Sequence, residues 1–242
     1  MKPNRITGSA LARYVQCEAS AFLEQDEQPY SEAARQGHRI HTPLEYWSLG
    51  ARVEDIVARS HPDVRAQIPS LLEGAQRAEV EPLPGLPVAE VTFAFNPLTG
   101  KARILGAGLN RDYSGFNEGE WGGTADVIGL HDGGPAVLDW KSGKWIKPPR
   151  ELWQMRFLAV CLQGVLGAPS GVFLAIHSTR SAKTNWQMAE PEDIAKWRQT
   201  LMNVGAAHAE VMAGREPAPT LGSECRFCAS KNHCPAWIGN AP

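Results

Sequence analysis

Gly122-Gly-Thr-Ala-Asp-Val-Ile-Gly-Leu-His131, Asp132-Gly-Gly-Pro135 and Ala136-Val-Leu-Asp-Trp-Lys141 are consecutive, and they decide the fold. Two apolar, β-prone runs flank a cluster of turn formers, which is the pattern of an antiparallel hairpin. Successive strand side chains face opposite ways, so Asp139 and Lys141 project together while Trp140 points to the other face. With the turn centred on Gly133-Gly134, Asp126 is expected opposite Lys141 and diagonal to Asp139, which puts all three on one face. Two carboxylates and an ammonium on an otherwise apolar hairpin are costly to desolvate unless partners or a metal compensate. Mg²⁺ or Mn²⁺ takes oxygen ligands, keeps waters and bridges to phosphate, so the arrangement suits phosphodiester hydrolysis with Lys141 beside the attacking water. The plain alternative is a solvated hairpin with an ordinary Asp-Lys pair worth about 0–1 kcal/mol.

Upstream, Ser9 can cap a helix in which Leu11, Tyr14, Val15, Ala19, Phe22 and Leu23 recur near the helical period, with Cys17 inside it. A second helical stretch carries Gly37, His38, Ile40, His41, Leu44, Tyr46 and Trp47, and a third, polar helix is expected over 73–79. Pro82, Pro84, Gly85 and Pro87 mark a boundary before a strand over 88–95, a turn over 96–100 and a returning strand through Arg103, Ile104 and Leu105. Beyond the hairpin the pattern predicts a helix over 151–166, a buried strand over 171–176, a helix over 192–212 and a Pro/Gly loop over 214–223. Strand, helix, strand in this order gives an α/β fold with a central mixed sheet flanked by helices. One domain is expected over 1–242: a helical part (1–80), a sheet core carrying the acids (81–180), and a last helix with a Cys-rich tail (181–242).

With 242 residues, 43% hydrophobic and 21% charged, the chain has the composition of a globular protein. No apolar run approaches the roughly 20 residues of a membrane helix, and the first residues lack a charged-then-apolar leader pattern. A cytoplasmic chain with no membrane association is therefore expected, its five cysteines serving metal or redox chemistry rather than disulfides. A net charge of -2 excludes a global basic field, so nucleic acid must be met by a local patch. The loop Lys141-Ser-Gly-Lys-Trp-Ile-Lys-Pro-Pro-Arg150 offers one: Lys144, Lys147 and Arg150 can neutralise phosphates while Trp145 stacks on a base.

Cys225-Arg-Phe-Cys228 and Cys234-Pro235 place three soft ligands in a short, loop-rich tail. Thiolates so spaced select zinc or an iron–sulfur cluster, and a closed site needs a fourth ligand, for which His233 and Cys17 are the candidates. The spacing and the adjacent His233 lean towards zinc. Cys161, between Val160 and Leu162 in mid-helix, reads as a small buried hydrophobe.

Taken with its flanks, the hairpin resembles that of the RecB-like branch of the PD-(D/E)XK nucleases, including the CRISPR-associated "Cas-four" exonucleases, and the resemblance covers most of the chain. Gly37-His-Arg-Ile-His41 is similar to the helix-borne histidine element of that family, with His38 a nearby competitor; Gly123-Thr-Ala-Asp126 is similar to its first acid and Asp139-Trp-Lys141 to its signature. The resemblance implies a restriction-endonuclease-like core in which His41, Asp126, Asp139 and the carbonyl of Trp140 hold Mg²⁺ or Mn²⁺ and Lys141 is catalytic. The family's Gln-x-x-x-Tyr element is matched in part by Gln154-Met-Arg-Phe-Leu158, which carries Gln154 into the site and leaves Phe157 and Leu158 to the core. Glu90 resembles an acid upstream of the hairpin, although an outward-facing strand position is the expected reading. Cys17 with Cys225, Cys228 and Cys234 matches the split pattern of a [4Fe–4S] cluster, with zinc the alternative, and such a cluster would clip the chain ends together. The activity implied is a metal-dependent DNA exonuclease on single-stranded or frayed ends, working beside recombination, replication or CRISPR adaptation proteins. A structure-specific endonuclease on the same fold, a non-catalytic nucleic-acid-binding adaptor and an iron–sulfur redox protein are the other readings.

Overall fold

Six segments form the strands β1 (Ala89–Asn96), β2 (Lys101–Gly106), β3 (Trp121–His131), β4 (Gly134–Lys141), β5 (Val172–Ser178) and β6 (Lys183–Ala189) in a computed structural model that describes residues 6–26, 32–76, 78, 80–108, 115–143, 147–167 and 169–239, with β-branched and aromatic residues concentrated in β1, β3 and β5. They lie in the order β2-β1-β3-β4-β5-β6, and every neighbouring pair is antiparallel except β4 and β5. The helices are α1 (Leu11–Gln16), α2 (Glu32–Ser48), α3 (Val53–Arg59), α4 (Pro62–Arg65), α5 (Ile68–Gln76), α6 (Trp153–Leu166), α7 (Pro191–Met212) and α8 (Pro235–Ile238). A parallel pair needs a long crossover, and α6 supplies it between β4 and β5. The mixed α/β sheet expected from the sequence is present. Strand β6 was not expected, because this polar edge strand is held by a single neighbour and shows little apolar alternation.

The central hairpin corrects the expected register. His131 pairs with Gly134, and Asp132 and Gly133 both take positive φ (49° and 75°), the signature of a two-residue type I′ turn. The turn is therefore centred one position earlier than Gly133-Gly134. Val127 stands opposite Leu138, which brings Asp126 level with Asp139 rather than with Lys141. A slip of two residues keeps each side chain on its own face, so the shared face survives.

On one side of the sheet, Met155, Phe157, Leu158 and Leu162 of α6 pack on Phe93, Phe95, Val137 and Leu174. On the other, Ile40, Leu44, Ile56, Ile68 and Leu72 meet Val127, Leu138 and Trp140. Each such side chain removed from water contributes about 1.5–3 kcal/mol. Gly123 permits the close approach of α6, since a Cβ there would stand 2.8 Å from the Phe157 ring. Cys161 is fully buried among these residues, and burial pushes its thiol well above the usual range.

Two helical expectations fail. The helix expected through Leu23 stops at Gln16: Cys17 is extended (φ -141°, ψ 105°), and the chain resumes as a 3₁₀ turn over Glu18–Ala21. The Ser20 hydroxyl donates to the Cys17 carbonyl at 2.7 Å and stabilises this break, so Cys17 lies between helical segments rather than inside one. In place of one polar helix over 73–79 there are three, of which α5 buries Ile68, Leu71, Leu72 and Ala75 at helical spacing. Among the described residues no helix is long and apolar enough to cross a membrane.

Candidate active site

The site is built where the sheet forks. β3 and β4 pair from the turn as far as Val127 and Leu138; past that point β3 remains bound to β1, through Ala125 and Val91, and β4 to β5, through Asp139 and Ile176. Asp126 and Asp139 stand at the fork, 4% and 1% exposed. Buried backbone groups that lose a ladder partner need another, and the Trp140 N–H donates to Asp126 Oδ2 at 2.7 Å. Asp126 thereby fixes the backbone that carries both Asp139 and Lys141.

Asp139 is held on both oxygens. Oδ1 accepts from Gln154 Nε2 at 2.9 Å, and Oδ2 faces Lys141 Nζ at 2.7 Å. Lys141 in turn donates to Gln154 Oε1 at 3.4 Å, so the first turn of α6 bridges the acid and the cation. From the other side α2 brings His41, whose Nδ1 lies 3.7 Å from Asp126 Oδ2. Gly37, one turn earlier, lets this helix come close: a Cβ there would be 3.3 Å from Ser142 Oγ. His38 is exposed, which removes it as a competitor for the buried position. The four residues His41, Asp126, Asp139 and Lys141 expected to share a site are thus brought together, with Gln154 among them. Trp140 buries its indole on the opposite face, as alternation requires.

Burial raises the Asp139 carboxyl from the ordinary 3.8 to about 6; Lys141 opposes this, the negative charge of Asp126 adds to it and His41 again opposes. Burial is thus what lifts this carboxyl, against the pull of both neighbouring cations. Carboxylate oxygens, an imidazole and a backbone carbonyl form a hard donor set that suits Mg²⁺ or Mn²⁺. Among the described residues, no three His, Cys, Asp or Glu side chains are drawn around a single ion. The donor chemistry fits the metal, and the donors stand on the two sides of the fork.

Two acids near the fork depart from the sequence reading. Glu90 is not outward-facing: it is 1% exposed, has φ 49°, and falls between the pairs Ala89/Val127 and Val91/Ala125, beside Asp126. Its left-handed backbone interrupts the alternation on which the outward expectation rested. Glu45, also buried, was missed; it sits four residues after His41 and shares its helix face, a spacing visible in the sequence.

In the basic loop, Lys147 is exposed, while the Arg150 guanidinium pairs with Asp193 at 2.6 Å and the Arg150 backbone N–H donates to Gln187 Oε1 at 3.1 Å. Lys144 and Trp145 lie outside the described residues. Away from the fork, Cys17, Cys225, Cys228 and Cys234 line one common cavity. His233 turns instead to Asp26, at 3.0 Å, which leaves Cys17 as the residue that joins the three tail cysteines. Asp26 N–H donates to the Ala229 carbonyl at 2.9 Å, Asn232 donates to the Asp26 carboxylate at 2.8 Å and Arg215 pairs with Glu18, so the tail is tied to the N-terminal segment at several points.

No curated protein matches this sequence. Among solved structures it is similar to the crystal structure of SSO0001, with 18% identity over 98% of this chain and 88% of that one and a TM-score of 0.38. The sequence model of the PD-(D/E)XK nuclease superfamily matches residues 5–235. Its members are nucleases, hydrolases that act on DNA and typically use Mg²⁺ or Mn²⁺, and with a match spanning the sheet, the fork and both flanking layers the chain belongs to the PD-(D/E)XK nuclease superfamily.

Proposed function

We propose that this nuclease is an exonuclease that hydrolyses phosphodiester bonds at single-stranded or frayed DNA ends. The observation that carries the reading is the fork itself: two buried carboxylates, Asp126 and Asp139, with Lys141 Nζ 2.7 Å from one of them and Gln154 holding both acid and cation. His41, Asp126, Asp139 and the carbonyl of Trp140 are the groups that would hold Mg²⁺ or Mn²⁺. Bound there, the metal supplies an activated water and neutralises charge on the scissile phosphate. Lys141 orients the nucleophile and offsets the charge that develops on phosphate oxygen. Gln154 positions both groups, donating to Asp139 Oδ1 and accepting from the Lys141 ammonium. Lys144, Trp145 and Lys147 are the residues that would meet the DNA strand, while Arg150 pairs with Asp193 of α7.

Cleavage of end-labelled single- and double-stranded DNA with Mg²⁺ or Mn²⁺ tests this, comparing the native chain, Asp139→Ala and an EDTA control. Metal-dependent shortening from an end, lost in the variant, is the expected result. Folded protein that cuts none of these substrates overturns the catalytic reading, and internal cuts overturn the exonuclease part in favour of an endonuclease.

The four cysteines, we further propose, hold a [4Fe–4S] cluster that clips the tail to α1. The support is their common cavity and the turning away of His233, the alternative ligand. Anaerobically purified protein is expected to be brown and to contain iron and sulfide; stoichiometric zinc in their place overturns the cluster and leaves the nuclease reading untouched.

A further inference from the structure

The wall of the cysteine cavity contributed by the N-terminal segment is not only Cys17. Arg13, Gln16, Cys17 and Ser20 all line it. Arg13 and Gln16 stand three apart on one face of α1 and Cys17 follows as its extended C-cap, so the end of the helix brings a guanidinium, a carboxamide and a thiol to the same cavity. Among the described residues, Arg13 Nε and Gln16 Nε2 are buried with no hydrogen-bond partner. Leaving such a donor unsatisfied costs roughly 1–3 kcal/mol, and two of them on one short helix face require an acceptor. Gln16 is oriented by its other atom, since Oε1 accepts from the Glu224 N–H at 3.4 Å, which fixes the carboxamide against the tail. Lys231 adds a second cation to the lining, against the single acid Glu224. Four thiolates with the sulfides of a cluster form an anion rich in sulfur acceptors, and that is what this lining lacks.

We infer that Arg13 and Gln16 donate N–H hydrogen bonds to the sulfur atoms of the group held by Cys17, Cys225, Cys228 and Cys234, and so set its reduction potential. The inference rests on the cluster reading above. Hydrogen bonds to sulfur stabilise the more negative, reduced form more than the oxidised one, and hence raise the potential. Reduction adds one electron to the cluster and leaves every cysteine bond in place.

The test is an anaerobic potentiometric titration with dithionite, followed by electron paramagnetic resonance, on the native protein and on Arg13→Met, Arg13→Lys and Gln16→Leu. Iron and sulfide are assayed in each sample, and thermal unfolding is recorded as a check on the fold. The expected result is a more negative midpoint potential in Arg13→Met and Gln16→Leu at unchanged iron content, with Arg13→Lys between Arg13→Met and the native protein. Should Arg13→Met fail to fold, Gln16→Leu alone decides. Fully loaded variants whose potential equals that of the native protein overturn the inference and leave the cluster standing. Native protein loaded with zinc overturns both.

Discussion

Asp139→Asn is expected to make the metal-free protein more stable while abolishing its chemistry. The carboxyl is pushed from 3.8 to about 6, a displacement of about 2 pH units, and at ~1.4 kcal/mol per unit its ionised form costs the metal-free fold ~3 kcal/mol. That figure already contains the attraction of Lys141, which is among the causes of the displacement. Because the folded value lies above the unfolded one, the folded protein binds the extra proton between them. Stability in EDTA should therefore fall as pH rises from about 4 to about 6 and level off above. An asparagine escapes this cost: the gain should be ~3 kcal/mol at pH 8 and about half of that at pH 5, where much of the native carboxyl is protonated in the fold. For a chain of this length ~3 kcal/mol corresponds to a rise of roughly 6–12 °C in melting temperature. Thermal unfolding by circular dichroism in EDTA at the two pH values, repeated with Mn²⁺, measures all of this. Mn²⁺ should raise the melting temperature of the native protein and leave the variant almost unmoved, since only the former gains a ligand that binds the folded state. A variant that melts at or below the native protein in EDTA at pH 8, or a gain that does not shrink at pH 5, refutes the reasoning.

Lys141→Met should slow cleavage by about 10²- to 10³-fold while leaving the affinity for uncut DNA unchanged, as read by single-turnover kinetics and fluorescence anisotropy. Lys147→Ala should reduce the slope of log binding constant against log salt by about 1, whereas Arg150→Ala should leave the slope alone and cost about 1 kcal/mol of stability, because its guanidinium is engaged by Asp193. Gly123→Ala should destabilise the protein by about 1–3 kcal/mol in urea unfolding, since the new methyl meets the Phe157 ring across a packed interface.

The central hairpin was legible because turn chemistry and alternation agree within it, and even a turn placed one residue late preserved which side chains share a face. Gln154 and His41 were legible only through their resemblance to a family pattern: nothing local to α6 or α2 says that those faces meet the fork. Glu90 could not be placed, since alternation assumes regular strand dihedrals and a single positive φ breaks it. β6 was hidden by the converse problem, because an edge strand half open to water tolerates Lys183, Thr184 and Asn185 in a row, and Gln187 after Trp186, a stretch that reads as loop. At Cys17 the chain breaks beside the Ser20 hydroxyl, and there it also meets a tail some two hundred residues away, the Thr220 N–H donating to Cys17 Sγ at 3.4 Å across a separation of 203 residues. No local rule carries that information.

That separation also orders events during synthesis. The segment bearing Cys17, Glu18 and Asp26 leaves the ribosome long before Arg215, Asn232 and His233 exist to bind it. At about 5–20 residues per second the wait is on the order of 10–40 seconds. The sheet from β1 to β6 is complete within that interval and must hold its shape with the N-terminal segment packed on it through Ile6, Leu11 and Tyr14 but not yet tied to the tail. Defects in the late contacts should therefore leave nascent chains that carry an assembled fork and an open end, exposed to proteases at the termini while the centre resists them.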